Sequence, residues 1–460
     1  MKRLLLVVVL AAVALAGILG YASSRREQAY RRLIEHGDSA LQQADSVAAV
    51  EAFTVAIALK PGSMLGYLKR GEAYRQYGEL EKALKDLRTA SQLDPSATRP
   101  LELLGDVEHA LGRYDRAAGR YEDYVSIDDR SPRVLYKLAL ARYHDSKPAA
   151  AVEALRAALK IDDRFAPAHY LMGLCLETLK KPEAARTALQ RAIQFGPALL
   201  DAREALATLH HRHARTEDRL AQLEALRALD PGVTRLVALG LAHAEAGQFD
   251  RAAALLSKAV EQFPDEPYAY VALGRVWLDV AVSRSDDVAL QKAIEALERG
   301  TAANASSEGL MLLGRSLLLA GQADRAASVL VDATNRSPID PLAFWHLADA
   351  AEKIGNLSFA RQALLDYHTL EGDPAEARRR LRLFDRLGDL STRLGEPAGA
   401  VVWFQRALAA DPSGVDAALL VRLGDAQWRA GDAAGARETV ARALEKDPGH
   451  RAARALMRKF

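Results

Sequence analysis

The sequence predicts an all-α protein, an α-solenoid superhelix in which short paired helices stack side by side. Three observations predict it. The 460 residues are 50% hydrophobic but only 6% aromatic, and roughly ninety alanines make up the difference. Alanine is the strongest helix former and leaves no bulk between helix axes. Small residues recur at a spacing of 34, and a proline closes most of those intervals. An all-β chain would need more β-branched and aromatic residues. Disorder is excluded by the high apolar content and a net charge of only +2.

The chain opens with Lys2 and Arg3, followed by an uncharged run from Leu4 to Ala22. As a helix this run would be about 28 Å long, close to a bilayer core. Residues 1–29 are therefore expected to be a single-pass inner- or plasma-membrane anchor, or a signal segment cleaved near Gly20-Tyr21-Ala22 to leave a secreted form. No cysteine follows the run, which excludes lipid attachment there. Lys2 and Arg3 argue for an inside N-terminus, whereas Arg25, Arg26, Arg31 and Arg32 argue for the reverse. The signal-like order favours a periplasmic, extracytoplasmic body; a cytoplasm-facing body is the alternative.

From residue 30 to 450 the chain repeats. Gly37, Gly71, Gly105, Ala139 and Gly173 fall 34 apart, and the series continues at Ala207, Gly240, Gly274, Gly314, Ala348, Gly388 and Gly424. Twelve residues later stands an alanine in most units (Ala49, Ala83, Ala117, Ala151), and seven further on there is usually another (Ala56, Ala90, Ala158). These small residues let two helix backbones approach. A bulky residue four past the first alanine (Phe53, Leu87, Tyr121, Phe404) fills the space between units. Mid-unit glycines such as Gly78, Gly112 and Gly431 supply the left-handed residue that ends a first helix. Pro61, Pro95, Pro197 and their equivalents stop the second.

This pattern resembles the tetratricopeptide repeat, a helix–turn–helix unit of about 34 residues. Met64–Pro95 carries most of its signature: Tyr67, Gly71, Tyr74, Gly78, Ala83, Leu87, Ala90 and Pro95. It departs at Arg70, where the family usually has leucine and where most other units here keep it (Leu104, Leu138, Leu206, Leu239). About twelve units are expected. Arg219 and Leu226 replace alanines in the sixth. Polar extra residues near 282–287 are expected to lengthen the loop between two helices, and a stretch at 375–380 to bend the superhelix or extend a helix. Residues 451–460 place Ala453, Leu456, Met457 and Phe460 at helical spacing on one face, as a capping helix would; a basic amphipathic contact is the alternative.

No catalytic motif stands out: there is no phosphate loop, HExxH, GxSxG or dinucleotide fingerprint. The repeats also leave no segment for a catalytic domain, so an enzyme is only a distant alternative. No cofactor and no small-molecule substrate are expected. With 62 basic and 60 acidic residues there is no field for nucleic acid. The single Cys175 lies in an apolar stretch and reads as core. His210, His211 and His213 suggest a metal cluster, but a solvent-facing polar helix end explains them better. Asp128-Asp129 and Asp162-Asp163 read as turn formers. The sequons at Asn304, Asn335 and Asn356 are short enough to arise by chance.

The resemblance implies protein or extended-peptide partners held on a concave face lined by first helices. Exposed first-helix positions map to Arg99, Arg133, Tyr136, Tyr143, His144 and Tyr170, and further along to Tyr268, Arg275, Arg315, Trp345 and Trp428. Tyr, Trp and Arg dominate binding hot spots, although inter-repeat packing also uses them. The carboxylate clamp of the chaperone-cofactor members is missing, because its places hold Ile34, Asp38, Leu68 and Glu72. The expected function is a non-catalytic, membrane-tethered scaffold that assembles a bacterial cell-envelope, secretion or polysaccharide machine, with an inner-membrane adaptor facing the cytoplasm as the alternative.

Overall fold

The computed structural model describes residues 2–302, 305–372 and 376–460, without the side chains of 2–9 and 11–14. The described residues form α-helices joined by short turns, and the chain divides into two compact units, Met1–Gln222 and Leu223–Phe460. The first holds α1 (Lys2–Gln42), α2 (Ser46–Leu59), α3 (Met64–Gln76), α4 (Leu80–Leu93), α5 (Thr98–Ala110), α6 (Tyr114–Ile127), α7 (Pro132–His144), α8 (Pro148–Ile161), α9 (Ala166–Thr178), α10 (Pro182–Phe195) and α11 (Leu200–Arg212). The boundary falls within α12 (Thr216–Leu229). The second holds α13 (Val233–Glu245), α14 (Phe249–Gln262), α15 (Pro267–Arg284), α16 (Asp287–Thr301), α17 (Ser307–Leu319), α18 (Ala323–Thr334), α19 (Pro341–Lys353), α20 (Leu357–Glu371), α21 (Ala377–Arg393), α22 (Pro397–Ala410), α23 (Ala417–Arg429), α24 (Ala433–Lys446) and α25 (Arg451–Met457).

Within each unit, consecutive helices pair into hairpins, and each hairpin packs on the next. A three-residue connection such as 77–79 or 111–113 closes the hairpin, and its middle residue is left-handed. Gly78, Gly112, Gly247, Gly321, Gly355, Gly395 and Gly431 all have φ between 72° and 92°. Where glycine is absent, Ala44, Ser146, Lys180, Ala214 and Ser285 adopt the same conformation at φ 53–59°. The turn therefore overrides local preference, at a cost that L-residues bear through Cβ crowding.

The small positions sit where the helices of a hairpin cross. Ala49, Ala83, Ala117, Ala151 and Ala185 are fully buried, as are Ala56, Ala90, Ala158 and Ala192. A Cβ added to Gly71 would lie 2.8 Å from Leu87 Cγ, and one on Gly173 would lie 2.6 Å from Leu189 Cγ, inside van der Waals contact. The aromatic fillers Phe53, Tyr121 and Phe404 stand opposite glycines (Gly37, Gly105, Gly388). Ala139 and Ala348, at the same position, are followed sixteen residues on by Leu155 and Leu364.

Arg70 has a partner that the repeat pattern does not show. Its Nε and Nη2 donate to Asp86 Oδ2 and Oδ1 at 2.6 and 2.9 Å, and Asp86 is only 4% exposed. A bidentate pair has replaced an apolar contact. Cys175 is buried, and burial pushes its thiol up to about 12. Asp128 and Asp162 accept from the backbone N–H of Arg130 and Arg164, as turn formers do. Ala453 and Leu456 of α25 are buried against the second unit's core, with Met457 and Phe460 beside them. Asn335 Nδ2 donates to Val331 O and Asn356 caps α20; Asn304 lies outside the described residues.

Four expectations need correction or completion. The membrane placement from residues 4–22 is overturned: among the described residues no helix is long and apolar enough to cross a membrane. The run does not form a separate element, since α1 continues unbroken into the first hairpin. Its continuously described uncharged part, residues 15–24, ends at Arg25-Arg26 and is half of the ~20 residues a span requires. Much of the rest of the run, residues 4–9 and 11–14, lies outside the described side chains. Neither a periplasmic nor a cytoplasm-facing single-pass protein is supported, and the cell-envelope setting loses its basis. The insertion near 282–287 does not lengthen a loop: it extends α15 to 18 residues, ended by left-handed Ser285. Beyond Ala375, which lies outside the described residues, the second insertion likewise enters a helix, the 17-residue α21. His210 does not face solvent: it is 3% exposed, and only His211 and His213 lie outside.

Candidate partner-binding face of the first helices

The odd-numbered helices are the first helices of the hairpins, and their side chains meet across neighbouring hairpins. A recurring rung joins them. Lys69 Nζ lies 2.7 Å from Asp38, Lys137 Nζ 2.7 Å from Asp106, and Arg386 Nη2 2.7 Å from Asp349. Each cation stands two residues before the small packing residue of its own hairpin, and each acid one residue after that of the preceding hairpin.

In the first unit, Arg99 and Arg133 converge on Glu102, which is 2% exposed. Arg99 Nη1 lies 3.0 Å from Glu102 Oε2, Arg133 Nη2 2.8 Å from Oε1, and Lys137 Nζ 2.8 Å from Oε1. Burial raises the Glu102 carboxyl, but its bond to Lys137 and the charges of Lys137, Arg133 and Arg99 outweigh that, holding it below its usual value of 4.5. Arg99 also binds Glu72 at 2.8 Å. Both arginines therefore serve the stack and are not free on its surface. Lys137 and Glu102, which carry this cluster, went unnoticed in the sequence, although Lys137 stands two 34-residue periods after Lys69, which hints at the lysine.

The aromatic residues remain half-exposed. Tyr136 packs edge-on to Phe165 with ring centroids 5.5 Å apart. Burial raises the Tyr170 phenol, and Asp201, Tyr143 and Tyr136 add to the shift, so the three tyrosines share one neighbourhood. His144 stacks on Tyr114 at 5.0 Å and meets His109 at 5.3 Å and Tyr143 at 5.8 Å. Where the chaperone-cofactor clamp would sit, Ile34 and Leu68 are buried, and Asp38 and Glu72 are held by Lys69 and Arg99.

In the second unit Arg275 pairs with Glu308. Burial raises the Asp279 carboxyl while Arg315 and Arg275 oppose the shift. A recess of about 370 Å³ is lined by Arg315, Leu318, Leu319, His346, Asp349, Glu352, Lys353 and Arg386. Arg386 is bound there to Asp349 and Glu352, His346 Nδ1 lies 3.2 Å from Asp349, and Lys353 Nζ donates to Leu318 O. Arg315 makes no ion pair among the described residues. Trp345 lies under the Arg386 guanidinium at 5.1 Å and edge-on to Tyr367 at 5.5 Å. Tyr268 Oη is 3.2 Å from Thr234 Oγ1, and Lys459 covers exposed Trp428 at 5.1 Å. Tyr268, Trp345 and Trp428 thus make separate local contacts; the structure does not gather them into one cluster. Among the described residues no group of three or more His, Cys, Asp or Glu is arranged to hold a metal.

Comparison with known proteins agrees with this geometry. Family models described as tetratricopeptide repeat match residues 34–98, 68–133, 233–276, 311–377 and 392–460, and a model of anaphase-promoting complex, cyclosome, subunit 3 matches 113–192. The small glutamine-rich tetratricopeptide repeat-containing protein 2 of Mycosarcoma maydis is 33% identical over 97 residues, 21% of this chain and 28% of that protein. Hsp70-Hsp90 organizing protein 3 of Arabidopsis thaliana is 27% identical over 101 residues, 22% of this chain and 18% of that protein. The chain thus spans less than a third of the length of these curated relatives. Among solved structures, the APC/C hetero-tetramer Cut9-Hcn1 matches with TM-score 0.39 and 14% identity over 94% of this chain and 96% of that one. A tetratricopeptide repeat protein from Parabacteroides merdae matches with TM-score 0.41 and 19% identity over 54% and 99%. The repeat models together match more than half of the residues, in phase with the hairpins, and the chain belongs to the tetratricopeptide repeat family.

Proposed function

We propose that this chain is a non-catalytic scaffold that holds an extended segment of a partner protein against its first helices. Tetratricopeptide repeat proteins are protein-interaction scaffolds, and the family is generally without enzymatic activity. The body that binds is the repeat array of residues 30–450, closed by 451–460. The observation that carries the reading is the recess beside Arg315. It combines an apolar wall, Leu318 and Leu319, with a guanidinium that has no ion pair while its neighbours are all engaged. Arg315 acts on Asp279 only through its charge, and a partner carboxylate supplies the bidentate pairing that it does not make among the described residues. In the first unit Tyr136, Tyr143 and Tyr170 offer rigid, half-buried rings, which contribute contact area with little loss of side-chain entropy. Arg99, Arg133 and Arg275 position the scaffold through their acids. Tyr268, Trp345, Trp428 and His144 are further contact candidates.

The test is affinity capture with the full chain, quantified by mass spectrometry. Arg315→Glu, and separately the triple variant Tyr136→Ala, Tyr143→Ala and Tyr170→Ala, should each deplete a defined set of captured proteins by about tenfold. A captured set unchanged in both variants refutes the choice of face.

A further inference from the structure

The opposite face of the second unit carries another feature. The second helices α22 and α24 border a groove of about 540 Å³ floored by α23. Gln427 lies in that floor, 8% exposed, and its Oε1 is buried without a hydrogen-bond partner. A buried acceptor left unpaired keeps its full desolvation penalty unless something else completes it.

Gln427 stands three residues after the small packing residue Gly424; His210 Nδ1 at the same position is likewise buried without a hydrogen-bond partner, whereas two other hairpins show what satisfaction looks like. Glu108 accepts from Arg88 and Arg113. His243 Nδ1 is 2.9 Å from Gln248 Oε1. The equivalent groove between α8 and α10 has Leu176 at this place and needs no partner. The groove over Gln427 is thus a repeat of a common shape with one unsatisfied polar group added to its floor.

Its walls indicate the ligand. Leu408, Pro412 and Val415 form an apolar side, while Arg442 and Lys446 on one turn of α24 face it with only Glu438 opposing. Neither cation makes an ion pair among the described residues. We propose that this groove is a second binding site, which takes an acidic segment of a partner polypeptide. On binding, the Gln427 side chain turns its buried Oε1 into the groove to accept an amide N–H of the segment, and a carboxylate meets Arg442 and Lys446. The site is independent of the first-helix face.

Gln427→Leu tests it because leucine is the residue the equivalent groove already tolerates. If Gln427 serves a ligand, the full-length variant melts at the same or a higher temperature than wild type. A lower melting temperature means the amide makes a structural bond, and overturns the proposal. The binding probe is a positional-scanning array of acetylated heptapeptides with Asp or Glu fixed at one position and Asn, Gln or Leu at the others. Wild type should retain peptides that combine an acid with an amide side chain. Both Gln427→Leu and the exposed pair Arg442→Glu/Lys446→Glu should weaken retention by about tenfold, and Arg315→Glu should leave it unchanged. Equal retention by wild type and the two groove variants overturns the proposal, as does failure of wild type to retain any acidic peptide.

Discussion

Replacing Gly105 by alanine tests the packing rule on which every hairpin depends. A Cβ at this position would lie 2.7 Å from Tyr121 Cζ and 2.8 Å from its Cδ1. Tyr121 Cε1 is nearer still, and ordinary carbon contacts begin near 3.5 Å, so the ring must retreat by about 1 Å. It is not free to do so, because Tyr121 Oη donates to Asp106 Oδ1 at 2.8 Å, and that retreat takes the bond out of range. Overpacking costs about 1–3 kcal/mol, the lost hydrogen bond about 1, and the helix-propensity gain returns about 1. The net destabilisation is about 2 kcal/mol. Tyr121→Leu alone leaves a void and costs about 2–3 kcal/mol. Together the two substitutions recreate the Ala139 and Leu155 pair of the next hairpin, both fully buried. The double variant should therefore lose only about 2 kcal/mol, a coupling of about 2–3 kcal/mol in the double-mutant cycle. Urea unfolding of the full chain gives the totals. Hydrogen exchange of α5 and α6 localises them, which matters because repeat arrays need not unfold in one step. A Gly105→Ala protein as stable as wild type, or strict additivity in the double variant, refutes the reasoning.

Three further outcomes follow from the geometry. Arg70→Leu restores the family residue yet should cost about 3–5 kcal/mol by leaving Asp86 charged and buried, whereas Arg70→Leu/Asp86→Leu should return to near wild-type stability in the same unfolding assay. Lys180→Gly relieves a left-handed side chain at φ 56° and should raise stability by about 0.5–1 kcal/mol, while Gly112→Ala, where a Cβ meets nothing within 4 Å, should lower it by about 1 kcal/mol through backbone strain alone. Because the folded-state carboxyl of Glu102 sits below its usual 4.5, its contribution is fully present above that value and is lost as pH falls through the lowered one; hydrogen-exchange protection in α5 and α7, corrected for the intrinsic rate, should fall as pH drops below 4.5 in wild type, and Glu102→Gln should flatten that change.

The repeat was legible because its determinants are local and periodic: small residues at helix crossings, glycine at the left-handed turn, proline after the second helix. The limits of that legibility have equally physical causes. Ser146, Lys180 and Ala214 show that the turn forms without glycine once hairpin packing demands it, so composition alone under-reports the turn. The insertion at 282–287 went into α15 because the longer helix buries Val280 and Ala281 against Ala289, a contact that the polar residues after them do not reveal. In the candidate site, residue type was visible but engagement was not. Arg99, Arg133 and Arg275 looked available on a helix face, but their acids lie on neighbouring turns or hairpins, a pairing that only the stacking register reveals. His210 read as part of a solvent-facing helix end, and only its burial distinguishes it from His211 and His213.

The rungs between first helices have a consequence for modularity. Lys69 faces Asp38, whereas the hairpin carrying Leu171 at the corresponding place follows one carrying Leu140 where Asp38 would be. Exchanging these two hairpins would set Lys69 against leucine and Leu171 against a carboxylate, although every small residue and turn would still match. A chain that reads as one unit copied many times therefore holds its copies in a particular order, because each seam accepts its own neighbour and penalises a stranger. A library of shuffled hairpins should fold well only where the charges at each seam were moved as pairs.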